Sequence, residues 1–199
     1  MIDTIDNTTQ KITGHVLITD KVTGEVLLDR NNAINFENFS ISLARCIANR
    51  PDSWIQEMVF GNGGASVSEI GTITYLPPNT VGTSAQLYNE TYFKVVDDQN
   101  PLNLDPTENY IQIAHSVGAT YSDVIVTCTL ELGEPANQQA FDNSTNIQSQ
   151  YSFNEIGLKA YSSNGPDTGL LLTHVIFSPI LKSLNRQIQI VYTIRIQTV

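Results

Sequence analysis

The runs Y-S-F-N-E-I-G-L-K-A-Y (Tyr151–Tyr161), L-L-L-T-H-V-I-F-S-P-I (Leu170–Ile180) and R-Q-I-Q-I-V-Y-T-I-R-I-Q-T-V (Arg186–Val199) follow one another with only short connections. In the last of them Ile188, Ile190, Tyr192, Ile194 and Ile196 share one face, and Gln187, Gln189, Thr193, Arg195 and Gln197 share the other. A strict period of two over this length predicts a long strand with one buried face. The residues Gly165-Pro166-Asp167-Thr168-Gly169 predict a turn between the first two runs. Pro179 has no amide to donate to a ladder, so the second run is expected to end or bend there. Lys182, Asn185 and Arg186 gather at the following corner, where they are expected to bind loose carbonyls or meet an acidic neighbour.

The preceding sequence has the same character. Two extended runs, I-T-G-H-V-L-I-T-D (12–20) and E-V-L-L-D (25–29), flank Lys21-Val22-Thr23-Gly24 and predict a β-hairpin. Further strands are expected over 54–60, 90–96, 110–115 and 123–132, with Val124, Val126, Cys128, Leu130 and Leu132 on the inward face of the last. Residues 36–50 are expected to form the only helix. Phe36, Phe39, Leu43, Cys46 and Ile47 make its apolar stripe, Asn35 caps it and Arg50-Pro51 closes it. The fold expected is mainly β, an antiparallel sandwich of jelly-roll-like type with one short helix near 36–50. Residues 1–10 are expected to be a flexible arm and 11–199 a single domain with long loops at 61–88, 97–109 and 133–150.

Composition narrows the function. Charged residues make up 15% of the chain, below the usual quarter, and uncharged polar residues take their place. Such a surface suits packing into an assembly, and it equally suits a soluble β-protein with polar loops. The formal charge of −10, without clustered cations, argues against nucleic acid and anionic membranes as partners. No apolar run approaches membrane-spanning length, and the polar, acidic start is unlike a signal peptide, so synthesis in the cytoplasm is expected. Cys46, on the expected helix, and Cys128, on the inward face of a strand, are expected to be buried free thiols.

Catalytic and metal patterns are sparse. His15, His115 and His174 lie far apart on expected strands and form no H-x-x-x-H or H-E-x-x-H pair. Gly61-Asn62-Gly63-Gly64 follows a strand but lacks the lysine of a P-loop, so a tight turn is expected. Asp97, Asp98, Asp105 and Glu108 lack the regular spacing of a Ca²⁺ loop and read as a solvated acidic loop. No nucleophile elbow is present, and no pair of carboxylates is singled out for glycoside hydrolysis. The expectation is no enzyme, no catalytic residue, no cofactor and no metal.

F-N-E-I-G-L (Phe153–Leu158), the run from Leu170 to Arg186 and the closing Y-T-I-R-I strand (Tyr192–Ile196) resemble virion structural proteins of tailed bacteriophages. Gly14 to Asn35, leading into the helix, has the same flavour, and the likeness covers about a third of the chain. It implies a β-sandwich subunit of a ring or shell, without catalytic residues. Such a subunit would be a homo-oligomer located in the virion and touching portal or neck, tail or capsid proteins. The neck, collar or tail is the first expectation, and a capsid decoration protein is the alternative. A binding module is the competing class: a lectin-like sandwich stacking sugars on Trp54, Tyr75, Tyr88 or Tyr121.

Overall fold

The computed structural model describes residues 9–135 and 150–198. In chain order the elements are β1 (Gln10–Asp20), β2 (Val26–Asn31), β3 (Ala33–Ile34), α1 (Phe36–Ile47), β4 (Ile55–Gly61), β5 (Ala65–Val67) and β6 (Ile73–Tyr75). They continue with β7 (Glu90–Val95), β8 (Tyr110–Ala114), β9 (Tyr121–Leu130), β10 (Gln150–Ala160), β11 (Leu171–Ser183) and β12 (Ile188–Thr198). One five-stranded sheet has the order β2-β1-β12-β9-β8, and a second has the order β3-β11-β10-β4-β7. All pairings are antiparallel. The mainly β sandwich with one helix is therefore observed. A jelly-roll connectivity is not established by these strand orders.

β12 lies at the centre of the first sheet, between β1 and β9. Its alternation works as the sequence implies: Ile188, Ile190, Tyr192 and Ile194 are fully buried, and the residues between them are partly exposed or exposed. The register sets Val16 beside Tyr192 and Ile18 beside Ile190. Across Tyr192 and Ile190 lie Val126 and Cys128 of β9. This face meets Met58, Phe60, Phe153, Ile156, Leu158 and Phe177 of the second sheet in one continuous core. Phe153 sits at its middle, edge-on to both Phe60 and Phe177 at 5.6 Å between centroids, a favoured aromatic geometry.

The second sheet is covered on its outer face as well. Val59 and Leu171 pack there under Leu87 of the loop that precedes β7. This double coverage explains why β4 and β11 read as nearly unbroken buried runs where a half-buried strand would alternate. It also brings polar side chains of that face indoors, among them Glu57, Glu155, Lys159 and His174.

Several local expectations are corrected. α1 spans Phe36–Ile47 and buries Asn38, Phe39 and Ser42, leaving Phe36 and Ile47 exposed and Cys46 at the surface. Polar side chains take the inner positions because they bind loose carbonyls: Asn38 Nδ2 donates to Leu171 O at 2.9 Å and the Ser42 hydroxyl donates to Ser53 O. Asn35 does cap the start, accepting from Asn38 N. The helix stops before Arg50 because Asn49 turns left-handed at φ 51°. Arg50 N then reaches Arg45 O and Asn49 N reaches Cys46 O, the paired bonds of a Schellman motif.

β9 ends at Leu130, and Leu132 is exposed, because the chain turns with Glu134 N bonded to Glu131 O. β8 ends at Ala114, one residue before His115. β11 runs on through Pro179: the ladder slips between Phe153–Ile180 and Glu155–Ile176, so the proline sits in an irregular stretch that asks no amide of it. The expected contact loop 133–150 lies, at 136–149, outside the described residues, as do residues 1–8 of the expected arm.

Candidate functional site

A groove of about 940 Å³ opens between α1 and the two sheets. Phe39, Leu43 and Cys46 of α1 form one wall, Ile55 and Tyr161 of the second sheet's side form another, and Ile111, Ile113, Val124 and Ile196 of the first sheet complete it. Asp97 to Leu102 make the rim. Trp54 stacks on Tyr161 with centroids 4.5 Å apart and planes at 12°. The pairing of Ala160 with Ile55 sets the two aromatics side by side, and Tyr161 N donates to Trp54 O at 2.7 Å. Nothing local in the sequence links positions 54 and 161. Strand register alone joins them.

Trp54 is the only one of the four candidate aromatics in this groove. Tyr75 is tied through its hydroxyl to Ser178 Oγ at 2.6 Å, and Tyr88 donates to Pro77 O at 2.7 Å. Tyr121 lies under the Arg195 guanidinium, 3.9 Å from the ring centroid. The four do not form a common platform.

The acidic loop separates in the same way. Asp97 and Asp98 stand at the groove rim, accepting from Gln99 N and Ile111 N. Asp105 caps its own turn through Thr107, and Glu108 is drawn away to Lys21 and Thr129. Among the described residues no group of three or more His, Cys, Asp or Glu is placed to hold a metal.

The histidines also part company. His15 contacts Asp29 at 2.7 Å on the surface, and His115 Nδ1 lies 3.1 Å from Tyr121 O. His174 is fully buried, with Nε2 3.0 Å from Glu155 Oε2 and Nδ1 accepting from Asn79 N at 2.9 Å. The Asn79 amide fixes the tautomer: with Nδ1 an acceptor, Nε2 carries the proton and donates to Glu155. Glu155 accepts further from Gly63 N, Asn89 N and Tyr88 N. Burial pushes the Glu155 carboxyl up, but these donors outweigh it and leave it below the ordinary value. Asn154 beside it accepts from Gly64 N and donates to Asn62 O.

The N-E-I-G tetrapeptide thereby acquires a physical meaning. Asn154 and Glu155 hold the Gly61–Gly64 turn and the 79–89 loop against the sheet, and Ile156 fills the core. A side chain at Gly157 would meet Thr173 O at 2.5 Å. The Gly63 and Gly64 amides therefore already serve the internal side chains of Glu155 and Asn154, in keeping with a tight turn. Both dyad side chains are closed to solvent, and every ring nitrogen of His174 is engaged.

A second buried ionic group was not legible beforehand. Lys159 Nζ lies 2.8 Å from Glu90 and 2.5 Å from Asp167, and Asp167 N donates to Glu57 Oε2 at 2.9 Å. Burial raises the carboxyls of Glu90, to about 8, and of Glu57. The available signal was a charge inside an apolar run, Lys159 in I-G-L-K-A and Glu57 in I-Q-E-M-V, without any indication of the partner.

The Lys182 corner behaves as its composition implies. Its amino group is buried and donates to the carbonyls of Glu131, Glu134 and Ser183, while Arg186 pairs with Asp20 at 2.6 Å. No helix among the described residues is long and apolar enough to cross a membrane. No family model matches the chain, and neither a curated protein nor a solved structure matches it.

Proposed function

We propose that this chain is a non-enzymatic structural subunit of a tailed-phage virion, assembling with copies of itself and with neighbouring virion proteins at the head–tail neck, collar or tail. The observation that carries the reading is the groove, with its apolar walls and the exposed Trp54, Leu102 and Ile113 along it. Contiguous exposed apolar surface of this kind is a mark of association surfaces. The resemblance supports it from another side: its N-E-I-G segment serves here to gather loops on a rigid sandwich, a scaffolding task that needs no reacting group. Low charge density reduces the repulsion between many identical copies.

Light scattering on the purified protein, with negative-stain images of the same sample, tests the reading. Uniform particles of several copies are expected. A capsid decoration role is the alternative within the same class, and particle symmetry separates the two. A lectin-like module is the second reading, favoured by the Trp54–Tyr161 stack beside Asp97, Asp98, Gln99 and Asn100. A monomer that binds glycans saturably on an array would put that reading in first place.

A further inference from the structure

The groove is polarised in charge. Among the described residues that line it, only Asp97 and Asp98 are charged. Each has one carboxylate oxygen on a backbone amide, and among the described residues neither makes an ion pair. The apolar walls and the two unneutralised carboxylates lie side by side along β8, an edge strand of its sheet.

That edge is only partly closed. Ile111 N donates to Asp98 Oδ1 at 3.1 Å, so the Ile111 amide points away from β9. In an antiparallel ladder, groups two residues apart point the same way. The backbone of Ile113 therefore also faces outward, and its side chain is 78% exposed. An extended segment laid along β8 would pair with Ile113 and send alternate side chains into the groove. Its end near Asp98 would meet negative charge.

We propose that this groove receives an extended segment of a neighbouring protein, made of alternating apolar residues followed by lysine or arginine. The proposal rests on the assembly reading above and names the chemistry of the contact. Charge complementarity argues for this occupant: two rim carboxylates without a cationic partner among the described residues suit a lysine or arginine at the segment's end.

Trp54 is the single tryptophan and lines the groove, so its fluorescence reports occupancy. Cys46 lines the same groove and is exposed, whereas Cys128 is buried, so alkylation of Cys46 reports it independently. The probe is a synthetic peptide of alternating serine and leucine ending in two lysines, and the control ends in two glutamates. The lysine peptide should change Trp54 fluorescence saturably and slow Cys46 alkylation, and the glutamate peptide should bind about fivefold more weakly or worse. The double variant Asp97→Asn and Asp98→Asn keeps the oxygen that accepts from each amide, so it should fold and lose only the preference for lysine. Equal binding of the two peptides, or neither fluorescence change nor protection, overturns the proposal. So does an uncharged alkyl-glycoside detergent that saturates the groove at lower concentration than the peptide, which assigns it to small amphiphiles. Light scattering on the same sample keeps the two ideas apart. Assembly without peptide binding removes the groove proposal alone, and a monomer that binds the peptide removes only the self-assembly reading.

Discussion

Glu155 and His174 face each other on adjacent strands of the second sheet, 3.0 Å apart and both without solvent exposure. The carboxylate gathers the imidazole and three backbone amides from two separate loops. Glu155→Ala should strand those donors in a buried site at a cost of about 3–5 kcal/mol. Urea unfolding measures it. A loss below about 1 kcal/mol would show that water replaces the carboxylate, and the loops do not depend on it.

The Glu90, Glu57, Asp167 and Lys159 cluster should make stability fall toward alkaline pH. Burial, first of all, lifts the Glu90 carboxyl from 4.5 to about 8, with its hydrogen bond to Asp167 acting the same way and Lys159 opposing both. A folded-state value above the unfolded one means that the contribution is complete below pH 4.5 and is lost as pH rises through 8. Burial raises Glu57 in the same sense. Asp167, lowered in net by Glu90 and Lys159 against its own burial, acts oppositely and only in the acid range. Unfolding free energy should therefore drop by about 3 kcal/mol from pH 5 to pH 9. Glu90→Gln should flatten that slope, and an unchanged slope in the variant would locate the titration elsewhere.

The two thiols should react very differently. Cys46 is exposed on α1, whereas Cys128 is buried between the sheets with its thiol pushed up to about 12 by desolvation. Mass spectrometry after maleimide treatment at neutral pH should find one adduct on the native protein, at Cys46, and a second only in denaturant. Prompt double labelling would mean that the core opens readily at β9.

Lys182 should be irreplaceable by an apolar residue of similar length. Its amino group, lowered to about 8 chiefly by burial, meets three carbonyls at 2.8–2.9 Å. Lys182→Met would leave those carbonyls unsatisfied and should cost about 2–4 kcal/mol in thermal or urea unfolding. Stability equal to the parent would show that the 131–135 turn reorganises around the loss.

β1 and β12 were legible because one face of each is wetter than the other, as their alternation shows. The hairpin at Gly24 and the cap at Asn35 are local chemistry and were legible for the same reason. The helix face was misjudged because apolar spacing marks a stripe without saying what it packs on. The carbonyls of Leu171 and Ser53 favoured Asn38 and Ser42 instead. That exchange left Leu43 and Cys46 to line the groove.

Periodicity and turn residues belong to the chain itself, and they determined an antiparallel β-sandwich with a single helix among the described residues. Contacts between residues far apart in sequence belong to the tertiary structure. Register between β4 and β10 stacked Trp54 on Tyr161. Coverage of the second sheet's outer face buried Glu155 with His174 and Lys159 with Glu90. The exit of the 97–102 segment beside β8 set Asp97 and Asp98 on an apolar rim. Each of these depends on which strands become neighbours, and pairing of distant strands leaves no local trace, because a strand's alternation records only that it has a buried side.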